Sequence, residues 1–141
     1  MAKQDHQAME TVHIDDQEWE TIRWPGQLGK MMFHPNPDRP TEPNAGLVRY
    51  DPGSHHPTHN HDFAQIWYIL EGTFTIGGKQ YEPGTMIFHP DAHTEGALET
   101  ETGGLMLFVQ YQGPTTGVRP IYDGRFNMTE RKAITEERTD I

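Results

Sequence analysis

The sequence predicts an all-β protein of the sandwich or jelly-roll class. From residue 45 onward, apolar segments of strand length recur at intervals of about 8 to 12 residues between turn signals. The 141 residues include 14 glycines and 11 prolines, which supply the many turns that a small all-β fold requires. No 3.6-residue apolar repeat runs through this region, so the pattern favours strands over helices.

Short strands and loops are expected before the regular region. Residues 1–10 are polar and without period, and we expect them to be flexible or associated with a dimer partner. A first strand is predicted over residues 11–14 and another over residues 29–33, with a turn at Pro25 and Gly26 between them. Four prolines between residues 34 and 43 predict a loop.

The regular region contains the strands of the predicted barrel. These strands cover residues 47–50, 65–70, 73–76, 79–82, 85–88 and 105–111. Strand 65–70 is nearly all apolar, as a strand buried inside a double sheet would be. Strand 73–76 is expected to pair with it across Glu71 and Gly72. The polar stretch 95–104 is expected to be a connection.

Length and composition limit the classes of function. We expect one domain over residues 1–141 with a core barrel over about 45–111. Residues 127–141 are expected to be flexible or dimer-associated, around a short helix at 128–138 that Thr129 could cap. A net charge of −10 argues against partners such as nucleic acid or an anionic membrane. The chain has no cysteine, so no disulfide and no thiolate chemistry is possible. No apolar signal segment is visible at its start, so a cytoplasmic protein is expected.

The segment from Gly53 to Gly72 carries the strongest indication of function. His59 and His61 are two residues apart at a predicted strand start, and Gln65 follows four residues later. Alternate side chains of a strand point to one face, so these three can converge on one point. Two imidazoles and an amide oxygen converging inside a β-structure predict a metal site. The alternative is a chance pair of surface histidines, since the chain contains nine histidines.

This segment resembles the first motif of the cupin superfamily, in which a glycine, a His-x-His pair, a glutamate and a second glycine recur at fixed spacing. Gly53, His59, His61 and Gly72 are in register with the motif. Gln65 stands where the family usually has glutamate. The resemblance implies a double-stranded β-helix, the cupin jelly-roll barrel, with one divalent metal ion per subunit.

Residues 78–93 resemble the second cupin motif, which supplies the third metal histidine. They contain the turn at Pro83 and Gly84 and end at His93, about two residues earlier than the motif expects. The resemblance implies His93 as the third ligand, with His89 as its competitor or as a cavity residue. Among ions that such donors accept, Fe²⁺ is favoured, and Zn²⁺, Ni²⁺ and Mn²⁺ are alternatives.

The region from residue 24 to the histidines loosely resembles small cupins of the acetylacetone and dihydroxyacetophenone dioxygenase type. This implies a non-haem Fe(II) dioxygenase that cleaves a C–C bond of a small diketone or hydroxy-ketone. The alternatives are a redox-neutral isomerase, cyclase or lyase acting on a small carbonyl or sugar-acid substrate, and a non-catalytic small-molecule-binding cupin. A Gln65 ligand would favour the redox-neutral enzyme, because it reduces the room for dioxygen. Cupins commonly pair through their sheets, so a homodimer is also implied.

Further side chains near the motifs are candidates for substrate binding and catalysis. The candidate pocket residues are Trp24, Arg49, Phe63, Trp67 and Phe88. Ordinary core packing, or a surface salt bridge for the arginine, is the alternative for each of them. The candidate proton-transfer groups are Asp62, His89, Asp91 and Glu95. Orientation of a ligand histidine is an equally good role for the three carboxylates.

Overall fold

The computed structural model describes residues 8–34, 41–61, 63–91 and 93–111. Within these ranges the chain is all-β, as predicted, apart from one turn of 3₁₀ helix over Ile14–Asp16. The helix predicted at 128–138 and the candidate residue Asp62 lie outside the described residues.

Twelve strands follow one another along the described residues. They are β1 (Glu20–Thr21), β2 (Gln27–Phe33), β3 (Asn44–Tyr50), β4 (His55–His56), β5 (His59–His61), β6 (Ala64–Gly72), β7 (Phe74–Ile76), β8 (Lys79–Tyr81), β9 (Met86–His89), β10 (His93–Glu95), β11 (Leu98–Glu99) and β12 (Gly104–Tyr111).

The larger sheet has six antiparallel strands in the order β1-β2-β3-β12-β6-β9. Alternate residues of β6 are buried, so only one face of this strand lies in the core. The continuous apolar run at 65–70 had suggested burial on both faces, and this expectation was wrong. The buried apolar residues of this sheet are Met31, Leu47, Tyr50, Trp67, Ile69, Met106 and Phe108.

A smaller sheet in the order β4-β11-β7-β8 covers the other side of the core with Phe74 and Leu98. The sequence had predicted that residues 73–76 pair with residues 65–70, and this was wrong, because β7 pairs with β11 and β8. The chain leaves one sheet for the other at Gly72, which has a φ of 81°. A side chain at Gly72 would overlap the carbonyl of Gly103, so the close approach requires glycine.

The strand predicted at 11–14 is absent, because local hydrogen bonds stabilise a turn there instead. The ring of His13 accepts from the backbone N–H of Asp15 at 3.1 Å, and the carboxylate of Asp16 accepts from the backbone N–H of His13 at 2.9 Å. The following segment is held by Trp19, whose ring lies 4.8 Å from Lys30 Nζ and 4.4 Å from the Arg49 guanidinium.

The outer face of the larger sheet carries exposed apolar side chains. Phe88 and Met86 on edge strand β9 are 69% and 67% exposed. They lie opposite Ile66 and Tyr68 of β6, so the apolar surface continues across strands. In the part of the chain that the structure describes, no helix has the length and hydropathy needed to cross a membrane.

Candidate metal centre

A ribbon of β5 and β10 carries the candidate site. In its antiparallel register His61 lies opposite His93, and His59 lies opposite Glu95. Directly opposed residues share a face of the ribbon, as do residues two apart on one strand. The four side chains therefore converge, and His59 and Glu95 are each only 3% exposed.

The carboxylate of Glu95 lies at the centre of this cluster. Its Oε2 is 2.8 Å from Nε2 of His59, and its Oε1 is 3.1 Å from Nε2 of His61 and 3.4 Å from Nε2 of His93. The Nε2 atoms of His59 and His61 are 3.0 Å apart. The same nitrogen of all three rings thus faces one small volume.

The second ring nitrogen of two histidines faces a backbone carbonyl. Nδ1 of His59 lies 3.0 Å from the oxygen of Pro57, and Nδ1 of His93 lies 2.7 Å from the oxygen of Pro90. A carbonyl oxygen only accepts, so each Nδ1 carries a proton and donates it. In the neutral ring, Nε2 then presents its lone pair to the centre of the cluster, as a metal-ligating histidine does.

Glu95 is ionised at neutral pH. Burial raises the pKa of its carboxyl, but the charge of His61 and the hydrogen bonds of His59, His61 and His93 outweigh burial and hold the pKa well below its usual value. In the absence of a cation, the facing lone pairs and the carboxylate repel one another unless the rings take up protons. A divalent cation would neutralise this repulsion and satisfy every donor at once.

The donor separations fit a metal ion. Two ligand atoms that each lie about 2.1 Å from a metal are about 3.0 Å apart at right angles and about 3.4 Å apart in a tetrahedron. The observed separations run from 2.8 to 3.4 Å. Two overlapping groups have all donor atoms within 4.8 Å of one another: His59, His61 and Glu95, and His89, His93 and Glu95.

His89 lies beside His93, with ring centroids 4.5 Å apart and planes inclined by 22°. Burial lowers the pKa of His89 to about 4, opposed by the charge of Glu95 and assisted by His93, so its ring is neutral at pH 7. His93 lies opposite His61 and faces Glu95, which favours it over His89 as the third ligand. The assignment of His93 stays a prediction.

The family described as ChrR cupin-like domain matches residues 7–115. The chain belongs to this cupin family. No curated protein sequence matches the chain.

Solved structures agree with the cupin fold. KdgF from Halomonas sp. is 20% identical, with a TM-score of 0.62 over 79% of this chain and 100% of that chain. The polyketide cyclase RemF from Streptomyces resistomycificus is 23% identical, with a TM-score of 0.60 over 74% of this chain and 80% of that chain. An acetylacetone dioxygenase from Acinetobacter johnsonii is 15% identical, with a TM-score of 0.63 over 79% and 80%. At these identities the likeness shows the fold alone.

In this cupin the glutamate beside the histidines comes from β10 and not from position 65. Gln65 lies on β6 opposite His89, and it is 5% exposed. Its Oε1 has no hydrogen-bond partner among the described residues, so the amide is available to a ligand or an ion. Gln65 as a metal ligand stays a prediction. The sequence indicated Glu95 only as a proton-transfer or orienting group, although the spacing His93-x-Glu95 repeats that of His59-x-His61.

Three of the predicted pocket residues surround the rings of this cupin's site. The ring centroid of Phe63 lies 4.7 Å from that of His61, Trp24 lies 4.8 Å from His59, and Trp67 lies 4.4 Å from His89. These aromatic side chains shield the polar cluster from water on several sides.

The structure does not bring two other predicted pocket residues to the site. Phe88 and Arg49 lie on the outer face of the larger sheet, because each is one strand position out of phase with the inward-facing residues. Asp91 is half-buried in the connection between β9 and β10. The role of Asp91 in proton transfer stays a prediction.

His56 is a further ring that packs against the site. It is 3% exposed, and its ring stacks on Trp24 at 4.5 Å and 18°. Burial, assisted by the charge of the neighbouring His59, lowers the pKa of His56 to about 4. A neutral His56 therefore packs behind His59 and helps to fix its ring.

Proposed function

We propose that this cupin is a mononuclear non-haem Fe(II) dioxygenase that cleaves a C–C bond of a small diketone or hydroxy-ketone. The supporting observation is the buried group of His59, His61 and Glu95, whose donor atoms lie within 4.8 Å of one another. Two histidines and one carboxylate with open positions are the ligand set of many Fe(II) oxygenases. The acetylacetone dioxygenase of similar fold from Acinetobacter johnsonii supports the choice of substrate class.

The chain's own residues have distinct roles in this proposal. Bound Fe²⁺ would supply Lewis acidity toward a carbonyl oxygen and a redox-active centre through which the substrate, as the electron donor, reacts with dioxygen. Glu95 offsets the charge of the ion, and the carbonyl of Pro57 orients His59. The aromatic rings of Phe63 and Trp67 exclude water. The neutral ring of His89 is the candidate to accept the acidic proton between two carbonyl groups.

A redox-neutral isomerase, cyclase or lyase is the second candidate, and one observation favours it. Nε2 of His93 lies 3.4 Å from the same Glu95 oxygen that faces His61. If His93 also binds, four protein donors surround the ion, and fewer positions remain for dioxygen beside a two-oxygen substrate. Polarisation of a carbonyl requires only one open position. The similar fold of the polyketide cyclase RemF is compatible with this chemistry.

The two candidates differ in their requirement for dioxygen. Metal-free protein is loaded with Fe²⁺ under argon, and a panel of small diketones and hydroxy-ketones is added before and after admission of air. We expect about one dioxygen consumed per diketone cleaved, with turnover only in air. The Glu95→Gln variant should lose this activity, and His55→Ala, which changes an exposed histidine on β4, should retain it.

Turnover under argon with Zn²⁺, Ni²⁺ or Mn²⁺ would contradict the dioxygenase proposal and support the redox-neutral enzyme. Tight binding of the panel compounds with no turnover in either atmosphere would contradict both, and would indicate a cupin that serves only to bind a small molecule.

A further inference from the structure

Three amide side chains form a buried row across the inner face of the larger sheet. Asn44 on β3 lies opposite Gln110 on β12, and Gln110 lies opposite Gln65 on β6. Gln65 in turn lies opposite His89 on β9. Asn44, Gln110 and Gln65 are 0%, 6% and 5% exposed. Opposed side chains share a face and start about 5 Å apart, so the row is continuous.

The row ends at the metal centre. The ring of His89 stacks on that of His93 at 4.5 Å, and His93 faces the Glu95 carboxylate. At the other end, the Asn44 amide donates to the backbone oxygen of Gln110 at 3.3 Å, which anchors Gln110's strand but not its side chain. Gln110 and Gln65 therefore lie between Asn44 on β3 and the cluster of histidines.

Two amide oxygens of this row lack a partner. Oε1 of Gln65 and Oε1 of Gln110 are shielded from solvent, and no described residue donates a hydrogen bond to either. Gln27 shows the ordinary alternative, because it is also buried but donates to the Tyr50 hydroxyl at 3.1 Å and accepts from the backbone N–H of Trp24 at 3.5 Å. Unsatisfied buried oxygens are unfavourable and rare. A metal ion would satisfy the oxygen of Gln65, so the oxygen of Gln110 is the one that indicates a missing hydrogen-bond donor.

We propose that Gln110 forms a hydroxyl-binding subsite that orients the substrate beside the metal centre. The proposal rests on the proposed function, which it deepens by specifying the substrate class. Amide oxygens accept hydrogen bonds, so the complementary group is a hydroxyl. The next row on the same face pairs Phe108 with Trp67, each 6% exposed, so it is apolar. The substrate is therefore a small carbonyl compound with a free hydroxyl and an apolar remainder.

Three probes that share one diketone unit test this subsite: pentane-2,4-dione, 1-hydroxypentane-2,4-dione and 1-methoxypentane-2,4-dione. Calorimetric titration into metal-loaded protein under argon measures the affinity of each. We expect the hydroxy compound to bind about five- to tenfold more tightly than the parent, since one net hydrogen bond is gained. The methoxy compound, which cannot donate, should show no gain.

The Gln110→Leu variant should keep the affinity for pentane-2,4-dione and reduce the hydroxyl preference to about one. A wild-type protein that binds all three probes equally, or a Gln110→Leu variant that keeps the preference, would overturn the subsite. Equal gains from hydroxyl and methoxy would also overturn it, because the amide would then be acting as a donor. A wild-type protein that holds no metal, or that binds none of the three diketones, would instead contradict the proposed function.

Thermal unfolding of the metal-free variants gives a readout that needs neither substrate nor metal. Gln110→Leu removes an unsatisfied oxygen, and we expect its melting temperature to rise by about 3 °C. Gln27→Leu is the matched control, because it removes a buried amide whose hydrogen bonds are satisfied, and its melting temperature should fall. A fall for Gln110→Leu would assign Gln110 to structural support and would overturn the proposal.

Discussion

Replacement of Glu95 by glutamine keeps the shape of the side chain and removes its charge. In the wild type the carboxylate faces three Nε2 atoms at 2.8, 3.1 and 3.4 Å. We expect Glu95→Gln to raise the metal dissociation constant about 100-fold, the upper end of the loss seen when a metal site loses a supporting group.

Thermal unfolding with and without metal measures this loss. At a free metal concentration about 1,000 times the wild-type dissociation constant, binding stabilises the wild type by about 4 kcal/mol, whereas a variant that binds about 100-fold more weakly gains about 1.4 kcal/mol. At about 4 °C per kcal/mol, the melting temperatures should rise by about 16 °C and about 6 °C. Glu99→Gln, at an exposed position on β11, is the control and should match the wild type. An equal rise for Glu95→Gln would refute the central role of Glu95.

The other predictions concern positions around the site and on the outer sheet. Gln65→Glu should tighten divalent metal binding and Gln65→Ala should weaken it less than His59→Ala does; unchanged affinity in Gln65→Glu would count against Gln65 as a ligand. Burial lowers the pKa of His56 from 6.5 to about 4. As pH falls, His56 is therefore protonated in the unfolded chain at a higher pH than in the folded chain. Metal-free protein should thus lose up to about 3 kcal/mol of stability from this group between pH 6.5 and 4, and urea unfolding of His56→Phe should show a smaller loss. We also propose that the chain is a homodimer through its exposed apolar sheet face, so Phe88→Glu should raise the dimer dissociation constant at least about 30-fold in light scattering; a monomeric wild type would contradict this.

Local sequence signals predicted the strands and the turns between them. Alternation, glycine turns and proline positions depend on neighbouring residues, and they placed β2, β3, β6, β9 and β12 to within a few residues. The pairing of strands depends on residues that are far apart in the sequence, and here the predicted pairing of residues 73–76 with residues 65–70 was wrong. The short loop at Gly72 suggested a hairpin, although the close approach of Gly103 directs β7 into the other sheet.

The histidines of the site followed from their spacing, whereas Glu95 did not. It belongs to the stretch 95–104, whose polar sequence predicted a connection, and its burial results from the pairing of β10 with β5. The strands β10 and β11 are three and two residues long, too short for an apolar pattern to show. The subsite of Gln110 was equally hidden, because a glutamine at the end of a strand looks like an ordinary surface residue until its cross-strand neighbours are known.

Elemental analysis of anaerobically purified protein, beside the variants His59→Ala and His55→Ala, tests the metal centre most directly. We predict about one equivalent of iron per chain in the wild type and in His55→Ala, where an exposed histidine is changed, and no bound metal in His59→Ala. Full metal content in His59→Ala, or no metal in the wild type even after reconstitution, would contradict the assignment of the cluster around Glu95 as a metal site.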